Sequence, residues 1–383
     1  MADDILSIDD LRLNFYTYEG VVEALDGVKL SLRKGETLGI VGETGCGKSV
    51  TGLSVLVIVP PPGKIEGGKI FLKVKGKDID LLGQRQAILR RIRGEYISLI
   101  FQDPRSALNP VYTAGDQIIE VLVHHRRKEL IRRALERIDK EIASGKAGFL
   151  TKYYKKIYQK WLESPRALSL QILSKIPIAR RYNRILKDEA KKEATKMLRI
   201  MRIPDPERVV DMYPHELSGG MAQRVVIAIA LACSPEVLIA DEPTTNLDVT
   251  VQLQILNLIR ELKEEFSSSV IYVTHDMGVV AEMCDRVAVM YAGSVVESAG
   301  VLDIFKRPLH PYTRALLESI PRPGTPFKSI EGTVPSLINP PSGCRFHNRC
   351  RFAMDICAKT KPEIAEVEKD HFVQCYLHHS LGE

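Results

Sequence analysis

Apolar positions in this chain repeat with two periods, and the switches between them divide it. Residues 5–13, 28–32 and 37–41 carry the short apolar runs of strands, with Arg33-Lys34-Gly35-Glu36 as the turn before the last run. A second strand group, 70–74 and 97–101, brackets a charged helix-like run at 84–93, and Pro60-Pro61-Pro62-Gly63 reads as a linker. Over 107–203 the period becomes helical. Alternation then returns: a helix over 219–233, a strand over 237–240, a helix over 249–266 and a strand over 270–274. A hairpin follows at 286–291 and 294–298, turning at Ala292-Gly293. Strands alternating with helices predict a largely parallel sheet covered on both faces. Beyond Ile320, prolines at 321, 323, 326, 335, 340 and 341 replace the periodic pattern, which reads as a separate C-terminal appendage. No internal repeat is visible.

Composition adds bounds. The 383 residues suffice for two domains or one large domain with additions, and 45% apolar with 27% charged residues is the balance of a globular protein. The longest apolar run, 225–233, falls far short of the ~20 residues of a membrane-spanning helix. The first ten residues are acidic and lack the basic start of a secretory signal, so a soluble, cytosolic chain is expected. Seven cysteines in such a chain point to thiols or ligation and away from a disulfide framework. The net charge of +6 is uneven: residues 126–193 hold 20 Lys and Arg against 8 Asp and Glu, so the rest of the chain sums to −6. Trp161 and the set Tyr153, Tyr154 and Tyr158 lie in this basic stretch. A solvated helical hairpin, a face for anionic lipid head groups and a nucleic-acid contact all suit such a segment, although no nucleic-acid-reading motif accompanies it.

Three stretches carry chemistry. Gly42-Glu43-Thr44-Gly45-Cys46-Gly47-Lys48-Ser49 matches the P-loop pattern G-x-x-x-x-G-K-S between a predicted strand and a predicted helix. Its glycines let main-chain N–H groups face phosphate oxygens, the helix N-terminus attracts anions, Lys48 can reach the outer phosphates, and the Ser49 hydroxyl suits Mg²⁺. The strand Val237-Leu238-Ile239-Ala240 ends in Asp241-Glu242. In a P-loop protein the first carboxylate suits Mg²⁺ and the second can polarise an attacking water. Leu217-Ser218-Gly219-Gly220-Met221-Ala222-Gln223-Arg224 places a hydroxyl and two glycines at the start of an apolar helix, a second anion site.

In this order the motifs resemble those of the nucleotide-binding subunits of ATP-binding-cassette (ABC) transporters, and residues 217–224 are similar to that family's signature motif. The resemblance implies roles for further residues. Gln102, in Phe101-Gln102-Asp103-Pro104, matches the glutamine loop that touches Mg²⁺ and couples to membrane subunits. Thr245-Asn246-Leu247-Asp248 matches the dimer-facing loop, and His275 the switch histidine that reaches the γ-phosphate. Phe15 stands where the family places an aromatic against adenine, with Tyr16 and Tyr18 as neighbours. The nucleotide set implied is Phe15, Gly42 to Ser49, Val50, Asp248 and, toward a partner's ATP, Ser218, Gly219 and Gly220. Glu242, His275, Lys48 and Gln102 are the implied catalytic residues, and Ser49, Gln102 and Asp241 the Mg²⁺ set. Leu108-Asn109-Pro110, Tyr213-Pro214-His215-Glu216 and His310-Pro311-Tyr312-Thr313 narrow the resemblance to the oligopeptide/dipeptide importer branch, everywhere except about 126–192.

The implied fold is α/β: a P-loop NTPase sheet with an antiparallel β subdomain, a helical subdomain carrying the basic insertion, and a Cys-containing C-terminal extension. Boundaries are expected at 1–106 and 204–300 for the ATPase core, 107–203 for the helical subdomain with its insertion at about 126–192, and 301–383 for the extension. Cys344, Cys350, Cys357 and Cys375 are spaced C-x5-C-x6-C-x17-C. Four thiolates suit tetrahedral zinc or an iron–sulfur cluster, and the close Cys pairs usual for zinc are missing. Similar tails in the branch are associated with a [4Fe–4S] cluster, which the resemblance favours, while zinc and unligated thiols stay open. Cys46, Cys233 and Cys284 read as packing residues.

The activity implied is ATP hydrolysis that energises a peptide importer at the cytoplasmic face of the membrane. Its partners would be a second ATPase subunit (identical or related), two integral-membrane permeases and, indirectly, an extracytoplasmic solute-binding protein, with no nucleic acid. Oligosaccharide or nickel importers of the same type are alternatives. So is a soluble ABC protein that remodels a nucleic-acid or ribosomal complex, but such relatives carry two cassettes or a long coiled coil.

Overall fold

Residues 4–145, 148–164, 182–245, 247–321 and 329–378 are described by the computed structural model. Asn246, part of the basic insertion (146–147 and 165–181), and Pro323 and Pro326 lie outside the described residues. The chain divides into two compact units, Met1–Gln102 with Pro235–Thr245 and Gln252–Glu383, and Asp103–Ser234 with Asn246–Val251.

The first unit holds the strands β1 (Asp4–Thr17), β2 (Gly20–Arg33), β3 (Thr37–Val41), β4 (Gly63–Val74), β5 (Lys77–Asp80), β6 (Ile97–Ile100), β7 (Val237–Asp241), β8 (Ser269–Thr274), β9 (Arg286–Tyr291), β10 (Ser294–Gly300), β11 (Ala365–Glu368) and β12 (His371–Val373). They form an antiparallel sheet in the order β2-β1-β4-β5 and a mixed sheet in the order β11-β12-β10-β9-β3-β8-β7-β6. The difference is written in the side chains. In β1, Leu11 and Leu13 are buried on either side of exposed Arg12, the alternation of a sheet with one wet face. All five residues of β3 and all six of β8 are buried, as parallel strands covered on both faces require. β9, β3, β8, β7 and β6 run parallel, and β10 turns back antiparallel on β9.

Two expectations need correction. The tail is no separate appendage: β12 pairs with β10 through Glu297↔Val373 and Ser298↔Phe372, so β11 and β12 extend the central sheet. These strands have four and three residues, too few for their periodicity to be read. The bolt is Glu297, fully enclosed, which accepts hydrogen bonds from the N–H groups of Leu309 (2.8 Å) and His310 (2.9 Å) and lies 2.8 Å from His371 Nε2. Residues 204–234, expected in the core, group instead with the helical unit, because the helix Gly219–Leu231 packs there on Ala114–His125, Tyr182–Ile200 and the turn Pro104–Ala107.

In the second unit, Arg127–Ala143 buries Leu130, Ile131, Ala134 and Ile138 at helical spacing. Tyr182–Ile200 contributes Leu186, Ala190, Ala194 and Leu198. The basic insertion is laced by ion pairs: Arg133 with Glu129 and Glu193, Arg137 with Glu141 and Glu189, Lys155 with Asp139, and Lys192 with Glu189. Trp161 lies under the Arg127 guanidinium at 5.1 Å. Tyr158 is buried while Tyr153 faces solvent.

Burial opposes ionisation of Glu297, but His371 and the Leu309 and His310 N–H groups outweigh it and hold the carboxyl below its usual range. A carboxylate depressed in the folded state contributes stability above its unfolded pKa, near 4.3, which is lost as pH falls through the lower folded value. Glu297→Ala strands these donors in the interior and should cost about 3 kcal/mol or more at neutral pH. Urea midpoints of the wild type and this variant should converge as pH falls below about 4; a gap that stays constant would exclude the carboxylate as its source.

Candidate active site

The carboxyl ends of parallel strands are where an open α/β sheet collects ligands. β3 runs into Gly42–Ser49 and the helix Lys48–Val55, β7 ends at Asp241-Glu242, β8 at Thr274-His275, and β6 at Phe101-Gln102. The P-loop bends where only glycine fits. At Gly42, φ is 153° and a Cβ would lie 2.1 Å from the Met290 carbonyl oxygen. At Gly47, the helix N-cap, φ is 101° and a Cβ would meet Leu25 Cδ2 at 2.7 Å and the Ala24 carbonyl oxygen at 2.9 Å. The Gly293 N–H donates to the Cys46 carbonyl at 2.9 Å, fixing the loop to the β9–β10 turn. Lys48 is buried and donates to the carbonyls of Gly42 (2.8 Å) and Glu43 (3.0 Å). Arg93 caps the far end of the helix through the carbonyls of Leu56 and Val57 at 2.8 Å each.

Beside the loop, Ser49 Oγ donates to Asp241 Oδ1 at 2.9 Å. Burial pushes the Asp241 carboxyl above its ordinary value, the Ser49 hydrogen bond lowers it, and the neighbouring Glu242 charge adds to the rise. Glu242 is gripped at both oxygens. Gln102 Nε2 donates to Oε2 at 3.0 Å, Thr245 Oγ1 donates to the same oxygen at 3.1 Å, and His275 Nδ1 lies 3.2 Å from Oε1. The backbone of Glu242 has φ of 42°, an uncommon conformation for a residue with a side chain. Thus Lys48, Ser49, Gln102, Asp241, Glu242 and His275, drawn from four strand ends, form one polar cluster.

Ser218 caps Gly219–Leu231, its Oγ accepting from the Met221 N–H at 3.3 Å, and a Cβ on Gly220 would meet Val251 Cγ1 at 3.0 Å. Asp248 Oδ1 accepts from the Val251 N–H at 2.9 Å. Phe15 is half-buried against the core of the antiparallel sheet, Tyr16 donates its hydroxyl to Glu66 at 2.8 Å, and Tyr18 is fully exposed.

Sequence reasoning missed Thr245 as a partner of Glu242 and missed the tail's grip on the P-loop. The Glu43 N–H donates to the Tyr312 hydroxyl at 2.9 Å, and the Glu43 carboxylate is held bidentately by Arg349 at 2.7 and 3.1 Å. The only signal in the sequence is the proximity of Arg349 to Cys350, since the pair is separated by more than three hundred residues. Cys344, Cys350, Cys357 and Cys375 line a single small cavity with Phe346, Pro311 and Pro362. Burial pushes the Cys344 and Cys375 thiols up to about 11. No group of three or more His, Cys, Asp or Glu among the described residues is gathered closely enough to hold a metal ion. Cys46 and Cys284 are buried packing residues, and Cys233 is half-buried.

Gly42→Ala, driven into the Met290 carbonyl, should weaken binding of a fluorescent ATP analogue more than tenfold and destabilise the fold by about 1–3 kcal/mol. Wild-type affinity in this variant would mean that the loop is not shaped as described.

The ABC transporter family model matches residues 25–245, and the model for the C-terminal region of oligopeptide/dipeptide transporters matches 296–357. A probable peptide ABC transporter ATP-binding protein of Sinorhizobium fredii is 43% identical, over 98% of this chain and 95% of the relative. The dipeptide transport ATP-binding protein DppD of Bacillus subtilis is 41% identical, over 100% of this chain and 97% of the relative. Among solved structures, the ATP-binding cassette MJ0796 bound to ADP and phosphate aligns with a TM-score of 0.54 at 23% identity, over 77% of this chain and 98% of that one, a likeness of fold. With motifs in order, strand ends converging on a P-loop and full-length relatives of this kind, the chain belongs to the ABC transporter ATP-binding proteins, in the oligopeptide/dipeptide branch.

Proposed function

We propose that this chain hydrolyses ATP to ADP and phosphate to drive a peptide importer, working as one of two cassettes docked head to tail beneath two permease subunits. The observation that carries this reading is the Glu242 carboxylate, held by Gln102, Thr245 and His275 beside a P-loop whose serine touches Asp241. The tail's match to the transporter C-terminal region favours an importer over a soluble remodelling protein. No described helix is long and apolar enough to cross a membrane, so attachment is assigned to the permeases.

In this reading the N–H groups of the P-loop, with those of Ser49 and Val50 in the first helical turn, surround the phosphate tail. Lys48 exchanges loop carbonyls for the outer phosphates, and Phe15 or a neighbouring tyrosine stacks on adenine. Ser49 Oγ and the desolvated Asp241 carboxylate, 2.9 Å apart, are hard oxygen donors that fit Mg²⁺, which when bound neutralises phosphate charge. Glu242 orients and deprotonates the attacking water, with His275 fixing the carboxylate and the γ-phosphate in line. Gln102 links this cluster to the permease side. Ser218, Gly219 and Gly220 serve ATP held by the partner's P-loop, and Asp248 steadies the dimer-facing loop. Positioning and electrostatics carry the reaction.

For the tail we favour a [4Fe–4S] cluster held by Cys344, Cys350, Cys357 and Cys375. Supporting it, the four cysteines line one cavity and lack the close Cys pairs usual for zinc. Bound there, the cluster supplies structural cross-linking of the tail.

Glu242→Gln should keep ATP binding and lower turnover by about a hundredfold or more, the size expected when a preorganised catalytic group is lost; unchanged turnover would reject the assignment. Detergent extraction should recover the chain with permease subunits, whereas nucleic acid without a permease would favour the soluble alternative. Anaerobic purification should give a brown protein containing iron and sulfide; a colourless one with one zinc per chain would decide against the cluster.

A further inference from the structure

The segment between the first two tail cysteines, Arg345-Phe346-His347-Asn348-Arg349, is also the segment that grips the nucleotide loop. Arg349 is only 4% exposed, and every N–H of its guanidinium finds an acceptor. Nη1 and Nη2 hold the Glu43 carboxylate at 2.7 and 3.1 Å, Nη1 also reaches the Tyr291 hydroxyl at 3.2 Å, Nη2 the Ile330 carbonyl at 3.3 Å, and Nε the Glu331 carbonyl at 2.9 Å. Its plane sits near the rings of Tyr291 and Phe346, 5.8 and 5.9 Å from their centroids. Tyr291, Tyr312 and Phe346 pack with centroids 4.6 to 5.3 Å apart, and Tyr312 takes the Glu43 N–H. Arg345 Nη1 donates to the Ala292 carbonyl at 2.6 Å, next to the Gly293 N–H that holds Cys46. Phe346 and Cys350, in turn, line the four-cysteine cavity.

Arg349 is enclosed while the Glu43 side chain is 26% exposed, and a bidentate arginine–carboxylate pair has one preferred geometry. A shift of Glu43 therefore either breaks this two-pronged contact or moves Arg349, whose main chain is joined to that of Cys350. Nucleotide binding reorganises a P-loop locally, since Lys48 must leave the Gly42 and Glu43 carbonyls to reach phosphate. We propose that Arg349 is a positioning residue for the P-loop and that, through it, the nucleotide site and the four-cysteine site are energetically coupled. Coupling of this kind is reciprocal in free energy: an intact cysteine site favours the nucleotide-binding loop, and bound nucleotide favours the closed cysteine site. The proposal rests on reading the P-loop as the nucleotide site.

The test uses the full-length chain, freed of any bound metal by a chelator so that its thiols are available, a fluorescent ATP analogue, and maleimide labelling of Cys344 and Cys350 followed by peptide mass. In the wild type, Mg·ATP should slow labelling at these half-buried thiols about fivefold or more, the lower end of ordinary allosteric coupling. Arg349→Met should raise KM for ATP roughly tenfold with kcat much less affected, and abolish the protection. Arg349→Lys, which restores charge without the two-pronged geometry, should fall between. Should Arg349→Met fail to fold, Glu43→Gln breaks the same pair from the loop side and should likewise abolish protection. Labelling rates in the wild type that are equal with and without nucleotide, zero included, overturn the coupling. So does either variant with wild-type KM and wild-type protection. A wild type that does not bind the analogue overturns the nucleotide-site reading itself, which separates that failure from the failure of the coupling.

Discussion

Main chain pressed against main chain at the P-loop is the constraint on which the rest of the structure depends. Gly42 lies against the Met290 carbonyl and Gly47 against that of Ala24, at separations that leave no room for a methyl group. The Gly293 N–H closes the arrangement on Cys46, while its carbonyl accepts from the Asp26 N–H at 2.9 Å. Three stretches far apart in sequence are thereby locked at a few atoms: the turn from β9 to β10, the middle of β2, and the loop after β3. The parallel pairing of β3 with β9, Val41 opposite Val289, delivers the loop to this place, and a slip of one residue would turn the glycines away from the carbonyls they must pass.

Charge is then distributed around the loop with little slack. Lys48 is internal and held by loop carbonyls, Glu43 is neutralised by an arginine from the tail, and Asp241 is desolvated beside Ser49. Glu242, by contrast, keeps three partners, two of which come from the ends of other strands. A carboxylate held by several neutral or switchable donors is set in direction without being locked into an ion pair, which suits a group that must exchange partners during a reaction cycle.

Much of this was legible in sequence because the motifs are local. The P-loop, Asp241-Glu242 and the helix starting at Gly219 each sit at a junction of strand or loop with helix, where turn residues and apolar runs name their own position. What escaped was non-local. Arg349 and Glu43 are one ion pair with nothing periodic about it, and β12 has three residues, so prolines and polar positions disguised a segment that completes the central sheet. The helical unit failed differently: the period was correct, yet residues 204–234 were assigned to the core because alternation resumed there, whereas packing of Val225, Val226 and Ile227 decides membership. The insertion's charge count also said nothing of local pairing: Arg133, Arg137, Lys155 and Lys192 each meet a nearby acid.

That last point bears on what the insertion can do. Ion pairs spaced three or four residues apart on one helix, and others bridging two helices, are individually worth only a fraction of a kcal/mol. Together with buried Leu130, Ile138, Tyr158 and Leu186, they explain how so polar a stretch holds a helical packing at all. They use only some of the segment's cations, 20 Lys and Arg standing against 8 Asp and Glu, so its positive charge toward a phosphate-bearing surface is not cancelled. Trp161, with the Arg127 guanidinium 5.1 Å from its ring, is partly buried in the same layer. The named pairs hold the helical layer together, while the segment as a whole keeps 20 basic residues against 8 acidic ones.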